Sequence, residues 1–278
     1  MGLGGYLAWT AVAREISKRL PEDVKILPCE GDGKTVSRIV RSEVFENNPH
    51  ILTRVDENAK AFPMFLNNPQ ANYCKTDTPY KAYHRYDKHI IEQMCEFYNI
   101  ETPELRCELY FTEPERRKID ELTAVLEDDF VVIEPYSKDN YTPNRSYPLG
   151  KWQKIVNELS KKIQIVQVGL PNYPLLENVV DFRGKTSFRS ATLLIEKAKL
   201  FMSTEGGLVH AATCVNTTSI VIITGYQDPK MVAYPQNINI NIGSHGPCGL
   251  KVECPECTQD AISHNYKEIL DKAVDFLS

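Results

Sequence analysis

Short apolar runs alternate with stretches of helical periodicity through the second half of this 278-residue chain. The runs lie at 130–134 (FVVIE), 164–168 (QIVQV), 200–203 (LFMS) and 219–224 (SIVIIT), with a weaker one at 179–182. Continuous apolar runs this short suit strands buried on both faces. Between them Trp152, Ile155, Val156 and Leu159 recur at i, i+3, i+4 and i+7. Ala191, Leu194, Ile195 and Ala198 do the same behind Thr186 and Ser187, which can cap a helix start. Strands and helices alternating at this length predict a parallel sheet covered on both faces. Ligands of such sheets bind beyond the carboxyl ends of the strands.

The first half has a weaker pattern. Leu7, Val12, Ile16 and Leu20 predict an amphipathic helix over 6–20, followed by strands at 24–28 and 51–55. A helix is expected over 88–99. Another is expected over 113–126, with Thr112 as cap and Pro114 in the first turn. The natural boundary falls between residues 110 and 130. The expected architecture is α/β, with two Rossmann-like lobes of parallel sheet at 1–120 and 121–278, the first lobe reduced. The last helix, 266–277, can pack on either.

Composition narrows the function. The chain is 42% hydrophobic and 25% charged with a net charge of −5, which argues against a nucleic-acid partner. No apolar run approaches the ~20 residues that span a bilayer. At the start, MGLGGYLAWTAVAREISKRL, positive charge follows the apolar part, the reverse of a signal peptide. A cytoplasmic protein is expected, with the inner face of the membrane as a further candidate location. Cys29, Cys74, Cys95, Cys107 and Cys214 are scattered and read as free thiols.

The densest chemistry lies in LFMSTEGGLVHAATCVNTTSIVIITG, residues 200–225. It reads as strand, Gly206-Gly207 turn, helix start and strand. A turn without side chains lets a ligand reach the backbone. The helix start adds free N–H groups and the positive end of a dipole, which suit a phosphate or diphosphate. Thr204, Glu205 and His210 surround that place with polar groups.

With these residues in view, the chain resembles glycosyltransferase family 9, the ADP-heptose:lipopolysaccharide heptosyltransferases and their relatives. The strongest part is RGKTSFRSATLLIEKAKLFMSTEGGLVHAATCVNTTSIVIITG, residues 183–225. The segments FVVIEPYSKDNYTPNRSYPLGKWQKIVNEL (130–159), HIIEQMCEFYNIETPELRCELYFTEPERRKI (89–119) and GLGGYLAWTAVAREI (2–16) add to it in order. The resemblance implies the GT-B architecture of two facing lobes. It places a nucleotide-sugar donor, an ADP-sugar for preference, on the second lobe and a glycan or glycolipid acceptor on the first. It also implies an inverting, metal-independent transfer, with a heptose as one candidate sugar. Ser137 and Lys138 fall where the family contacts phosphate, with Lys151 as the competing cation. Glu205 takes the place of the aspartate that binds donor hydroxyls, and His210 bonds a phosphate oxygen or orients Glu205. The family's catalytic aspartate falls on Gly5, so a substitute base is needed; Glu30 and Asp32, after the first strand, are the candidates.

Two clusters stand apart. Cys248, Cys254 and Cys257 lie in CGLKVECPEC, with His245 before and His264 after. With His264 as fourth ligand this spacing suits a structural zinc or iron clip; catalysis needs no cofactor. Lys81, His84, Arg85, Lys88 and His89 interleave with Tyr80, Tyr83 and Tyr86, a candidate contact for phosphorylated glycolipid at a membrane surface. The competing functions are a nucleotide-sugar-binding protein that has lost catalysis and a sugar-nucleotide epimerase on the same fold.

Overall fold

A computed structural model describes residues 2–53, 59–68, 70–136 and 141–278. The first half contains α1 (Leu3–Ser17), β1 (Val24–Gly31), β2 (Val36–Ile39), β3 (Lys60–Phe65), β4 (Cys74–Asp77), β5 (Ala82–His84), α2 (Ile90–Glu96) and α3 (Glu113–Thr123). The second half contains β6 (Phe130–Glu134), α4 (Leu149–Leu159), β7 (Gln164–Gln167), β8 (Val180–Asp181), α5 (Phe188–Lys197), β9 (Leu200–Thr204) and α6 (Gly207–Cys214). It ends with β10 (Ser219–Ile223), α7 (Pro229–Val232), β11 (Ile238–Asn241), α8 (Pro255–Ser263) and α9 (Lys267–Leu277).

The apolar runs of the second half form one six-stranded sheet in the order β11-β10-β9-β6-β7-β8. Every pairing in it is parallel. Successive side chains on a strand face opposite ways, and the cores record it. Phe130, Val132, Phe201 and Val221 join one buried cluster. Val131, Ile133, Leu200, Met202, Ile220 and Ile222 join another, with Trp152, Ile155 and Val156 of α4 and Ile269 and Ala273 of α9. The last helix therefore packs on the second-half sheet. Strand order runs one way from β6 to β7 and β8, and the other way from β9 to β10 and β11. The reversal lies between β6 and β9, the topological switch point where doubly wound sheets bind ligands.

The first half departs further from expectation. Its sheet has three strands, β2-β1-β3; β1 pairs β3 parallel but β2 antiparallel. Of the strand expected at 51–55, the described residues 51–53 make a single parallel bridge, between Ile26 and Ile51; residues 54–58 lie outside the described chain. The hairpin β4–β5 forms a small sheet of its own. Helix α1 begins at Leu3, and every residue from Leu7 to Ile16 is buried. Ala8, Trp9, Ala11 and Ala13 fill the face that a surface helix would keep polar.

One core cluster runs from α1 and α2 into α5, α6, β9 and β10, so the two halves share an apolar interior. Arg189 of α5 ties them at a second place. Its Nε lies 2.6 Å from Glu115 Oε1, and its Nη atoms donate to the carbonyls of Glu43 (2.9 Å) and Tyr110 (2.6 Å). Thr112 caps α3 in a capping box with Glu115, with a proline in the first turn, and Ser187 caps α5, as the sequence predicts. Among the described residues no helix is long and apolar enough to cross a membrane.

Candidate active site

At the switch point β6 and β9 end side by side, and Ser203 Oγ donates to Glu134 O (3.1 Å) across them. Thr204 closes β9, and Glu205 N–H still donates to Ile222 O of β10 (3.1 Å). The chain then turns at Gly206 into α6, whose N-terminus has no side-chain cap. The N-terminus of α1, at Gly2, has none either. The two meet. A Cβ on Gly4 would stand 2.9 Å from His210 Cδ2 and 3.2 Å from Gly207 Cα. Two helix starts with orphan N–H groups and positive dipole ends thus converge on one corner.

Glu205 and His210 are each 6% exposed in that corner, and Thr204 is 1% exposed with no partner for its hydroxyl. Arg145, from the loop after β6, brings its Nε to 2.8 Å from Glu205 Oε2. The N–H does not point along that line, so the contact is an ion pair without a directed hydrogen bond. The guanidinium lies 4.8 Å from the centre of the Tyr226 ring and 5.8 Å from that of Tyr141, and donates to Gln227 Oε1 (3.2 Å). His210 Nδ1 is 2.6 Å from Tyr234 Oη, and its Nε2 is 3.9 Å from Glu205 Oε1. Burial pushes the Glu205 carboxyl up, against the pull of Arg145. Burial, with Arg145 second, holds His210 down at about 4, so the imidazole is neutral at pH 7. Glu134, beside the same corner, is raised by burial to about 7.

Thr204, Glu205, Gly206, Gly207 and His210 are therefore together, as the sequence places them. Ser137 and Lys138 lie outside the described residues. Lys151 is elsewhere: its ammonium caps the end of α8, donating to the carbonyls of Ala261, Ile262 and His264. Glu30 pairs with Arg38 on the exposed β1–β2 hairpin, and Asp32 accepts the N–H groups of Lys34 and Thr35 in the hairpin's own turn. Sequence reasoning weighed Arg145 only as one cation of the polar loop, with no role of its own, and missed Tyr226 and Tyr234. The position of Arg145 in the loop past β6 was the available signal; nothing marked the two tyrosines.

The sequence model of glycosyltransferase family 9 (heptosyltransferase) matches residues 80–260. The chain belongs to this family. It is a glycosyltransferase of α/β, GT-B-like fold. A family 9 glycosyltransferase from Veillonella parvula is similar in structure at TM-score 0.68 and 12% identity, over 100% of this chain and 94% of that one. The E. coli ADP-heptose lipopolysaccharide heptosyltransferase II is similar at TM-score 0.66 and 11% identity, over 99% and 96%. The iron-containing dodecameric glycosyltransferase TibC of enterotoxigenic E. coli gives TM-score 0.64 and 14% identity, over 99% and 74%. At such identities the likeness is one of fold. No curated protein sequence matches the chain.

The family 9 chain also gathers its thiols. His245 Nε2 lies 3.6 Å from Cys257 Sγ and 3.9 Å from Cys254 Sγ, and Cys248 Sγ lies 3.5 Å from Cys257 Sγ. A tetrahedral zinc site with bonds of about 2.0–2.3 Å has edges of roughly 3.5–3.8 Å; the ligand atoms of His245, Cys254 and Cys257 all lie within 4.8 Å of one another and could hold one ion, with the Cys248 thiol beside Cys257. His245 Nδ1 lies 3.0 Å from Asp260 Oδ2, the carboxylate that orients a metal-ligating imidazole. His264, expected as the fourth ligand, lies outside this group. It sits at 3.0 Å from Tyr147 Oη and 3.2 Å from Glu268 Oε2, because α8 carries it past the thiols. The remaining five cysteines are free.

The basic cluster at 81–89 is largely neutralised. Arg85 bonds Asp87 and Glu96, and Lys88 bonds Glu96. Burial lowers His84 to about 4 and His89 to about 3.

Proposed function

We propose that this glycosyltransferase moves a sugar from a nucleotide-sugar donor to a glycan or glycolipid acceptor, with inversion and without a catalytic metal. Residues 1–120 form the acceptor side and 121–278 the donor side. The observation that carries this reading is the convergence of the uncapped starts of α1 and α6 beside Glu205, His210 and Arg145. Expulsion of a diphosphate builds negative charge on the leaving group, and preorganised N–H groups and a cation stabilise it. Arg145 supplies the cation. When it turns to the diphosphate it releases the Glu205 carboxylate to accept hydrogen bonds from donor hydroxyls. Pro143, Asn144 and Ser146, around Arg145, line a cavity of about 330 Å³ with Tyr136, Tyr147 and Ile262; its apolar and aromatic walls suit the nucleobase. ADP-sugars are the favoured donors, since TibC of like fold is described with ADP-D-β-D-heptose. A structural zinc or iron, held by His245, Cys254 and Cys257 with the neighbouring Cys248 thiol as fourth ligand, completes the reading; a site closed by four protein ligands leaves no open position for chemistry.

Incubation with a panel of nucleotide sugars, with and without acceptor, tests it. Acceptor-dependent nucleotide release is the expected result. Tight binding without turnover would point to a donor-binding protein, and interconversion of the free donor to an epimerase. Arg145→Ala should weaken ADP binding by on the order of tenfold, the loss of about 1.4 kcal/mol from a charge-assisted contact.

A further inference from the structure

The thiol-bearing loop is bonded to three other segments. Cys248 N–H donates to Gly225 O (2.9 Å) and Gly249 N–H to Tyr226 O (3.2 Å); Tyr226 is the ring on which the Arg145 guanidinium rests. The segment carrying Arg145 is bonded to the same loop. Thr142 Oγ1 donates to Leu250 O (2.7 Å), and Asn144 Nδ2 donates to Leu250 O and Val252 O (2.8 Å each). Cys254 N–H returns a bond to Asn144 Oδ1 (2.9 Å). The third segment is the β4–β5 hairpin of the first half. Ala82 N–H donates to Gly249 O (2.9 Å) and Lys251 N–H to Tyr80 O (2.8 Å). Gly249 has φ +60, and a Cβ there would stand 2.5 Å from Ala82 O, so only glycine allows the approach.

We propose that the metal site of His245, Cys254 and Cys257, with Cys248 beside it, is a clasp: it fixes Arg145 against Glu205 and fastens the β4–β5 hairpin to the second half. The proposal rests on the metal assignment above. Between Cys248 and Cys254 the loop has no buried apolar residue: Leu250 is partly exposed and Val252 is 46% exposed. With no apolar anchor, its order rests on the hydrogen bonds above and on its ligand bonds, as in small metal-held loops. Loss of the ion frees the loop's carbonyls to move. Asn144 then loses fixed acceptors, and Tyr226 loses the bond that holds its turn. Asn144 is a positioning residue that acts through Arg145.

The test uses the full chain, elemental analysis, hydrogen exchange and ADP as the probe. Chelation should remove one ion per chain. It should speed exchange more than tenfold in segments 74–85 and 141–146 while β9 and β10 are unchanged, and weaken ADP binding about tenfold. In Arg145→Ala, chelation should add little to the loss of ADP affinity, because both changes act through one guanidinium. Asn144→Ala should keep its metal and reproduce the faster exchange at 141–146, which keeps the proposal testable if the metal-free chain unfolds. Unchanged exchange in both segments after verified metal removal would overturn the clasp and leave the metal site standing. So would full additivity of chelation and Arg145→Ala. Protein that carries no metal as purified and takes up neither zinc nor iron would end both. Failure of the loaded protein to bind ADP would sink the donor corner alone, since exchange reads the clasp without it.

Discussion

At the scale of single residues, the donor corner concentrates buried ionisable groups whose environments pull in opposite directions. Glu134 shows the consequence most cleanly. Its carboxyl titrates near 7 in the folded chain against 4.5 when unperturbed, and burial is the first cause. Between those values the folded state binds the extra proton, so its stability falls as pH rises through that window. Glu134→Gln removes the cost of ionising a buried group. It should stabilise the chain at pH 8 by on the order of 2 kcal/mol and change little at pH 4.5. Urea titrations at the two pH values decide it; an equal effect at both would mean that Glu134 ionises freely. The same corner shows what a sequence can reveal. Thr204 to His210 lie within one turn of chain, so spacing alone brought them together. Arg145, Tyr226 and Tyr234 reach them from separate loops, and no local pattern marks a side chain whose partner is fixed only by the fold. His245 and His264 flank the thiols in sequence, three residues before Cys248 and seven after Cys257. The direction of α8 selects His245, and that direction is a tertiary fact.

At the scale of elements, the continuous apolar strands were legible because each must be buried on both faces, which leaves little ambiguity. The first half was not. Its strands are mostly short, two of the three pairings are antiparallel, and most of the cover comes from α1, a helix whose alanines hide its burial from an amphipathic reading. The packing of α1 on α6 gives a second prediction. Gly4→Ala should gain up to about 1 kcal/mol of helix propensity. Against that, the new Cβ would stand 2.9 Å from the His210 ring and 3.2 Å from the Gly207 backbone, and overpacking of this kind costs about 1–3 kcal/mol. The contact should win, because His210 is held by Tyr234 and cannot swing aside freely. Denaturant unfolding should therefore show a net loss of roughly 1 kcal/mol. A more stable variant would mean that α1 and α6 are farther apart than they are described.

At the scale of the whole molecule, two halves that share a core must still admit a nucleotide sugar. With Glu205 and His210 each 6% exposed and Gly4 packed against Gly207, a donor that is to meet these side chains as well as the partly exposed helix starts needs α1 and the Arg145 loop to move away from α6. The chain carries its own reporter of that motion. Trp9 lies in α1, is fully buried and has no partner for its indole N–H. Trp152 belongs to the other core cluster, on the far face of the six-stranded sheet. In a Trp152→Phe chain, ADP binding should change Trp9 fluorescence, and the observed rate should level off as ADP is raised. The plateau is the opening rate, because a site closed most of the time binds only as fast as it opens. A rate that climbs linearly with ADP toward the ~10⁷ M⁻¹s⁻¹ of ungated association would mean that the corner stands open in solution, and that the contact between Gly4 and Gly207 does not gate the donor.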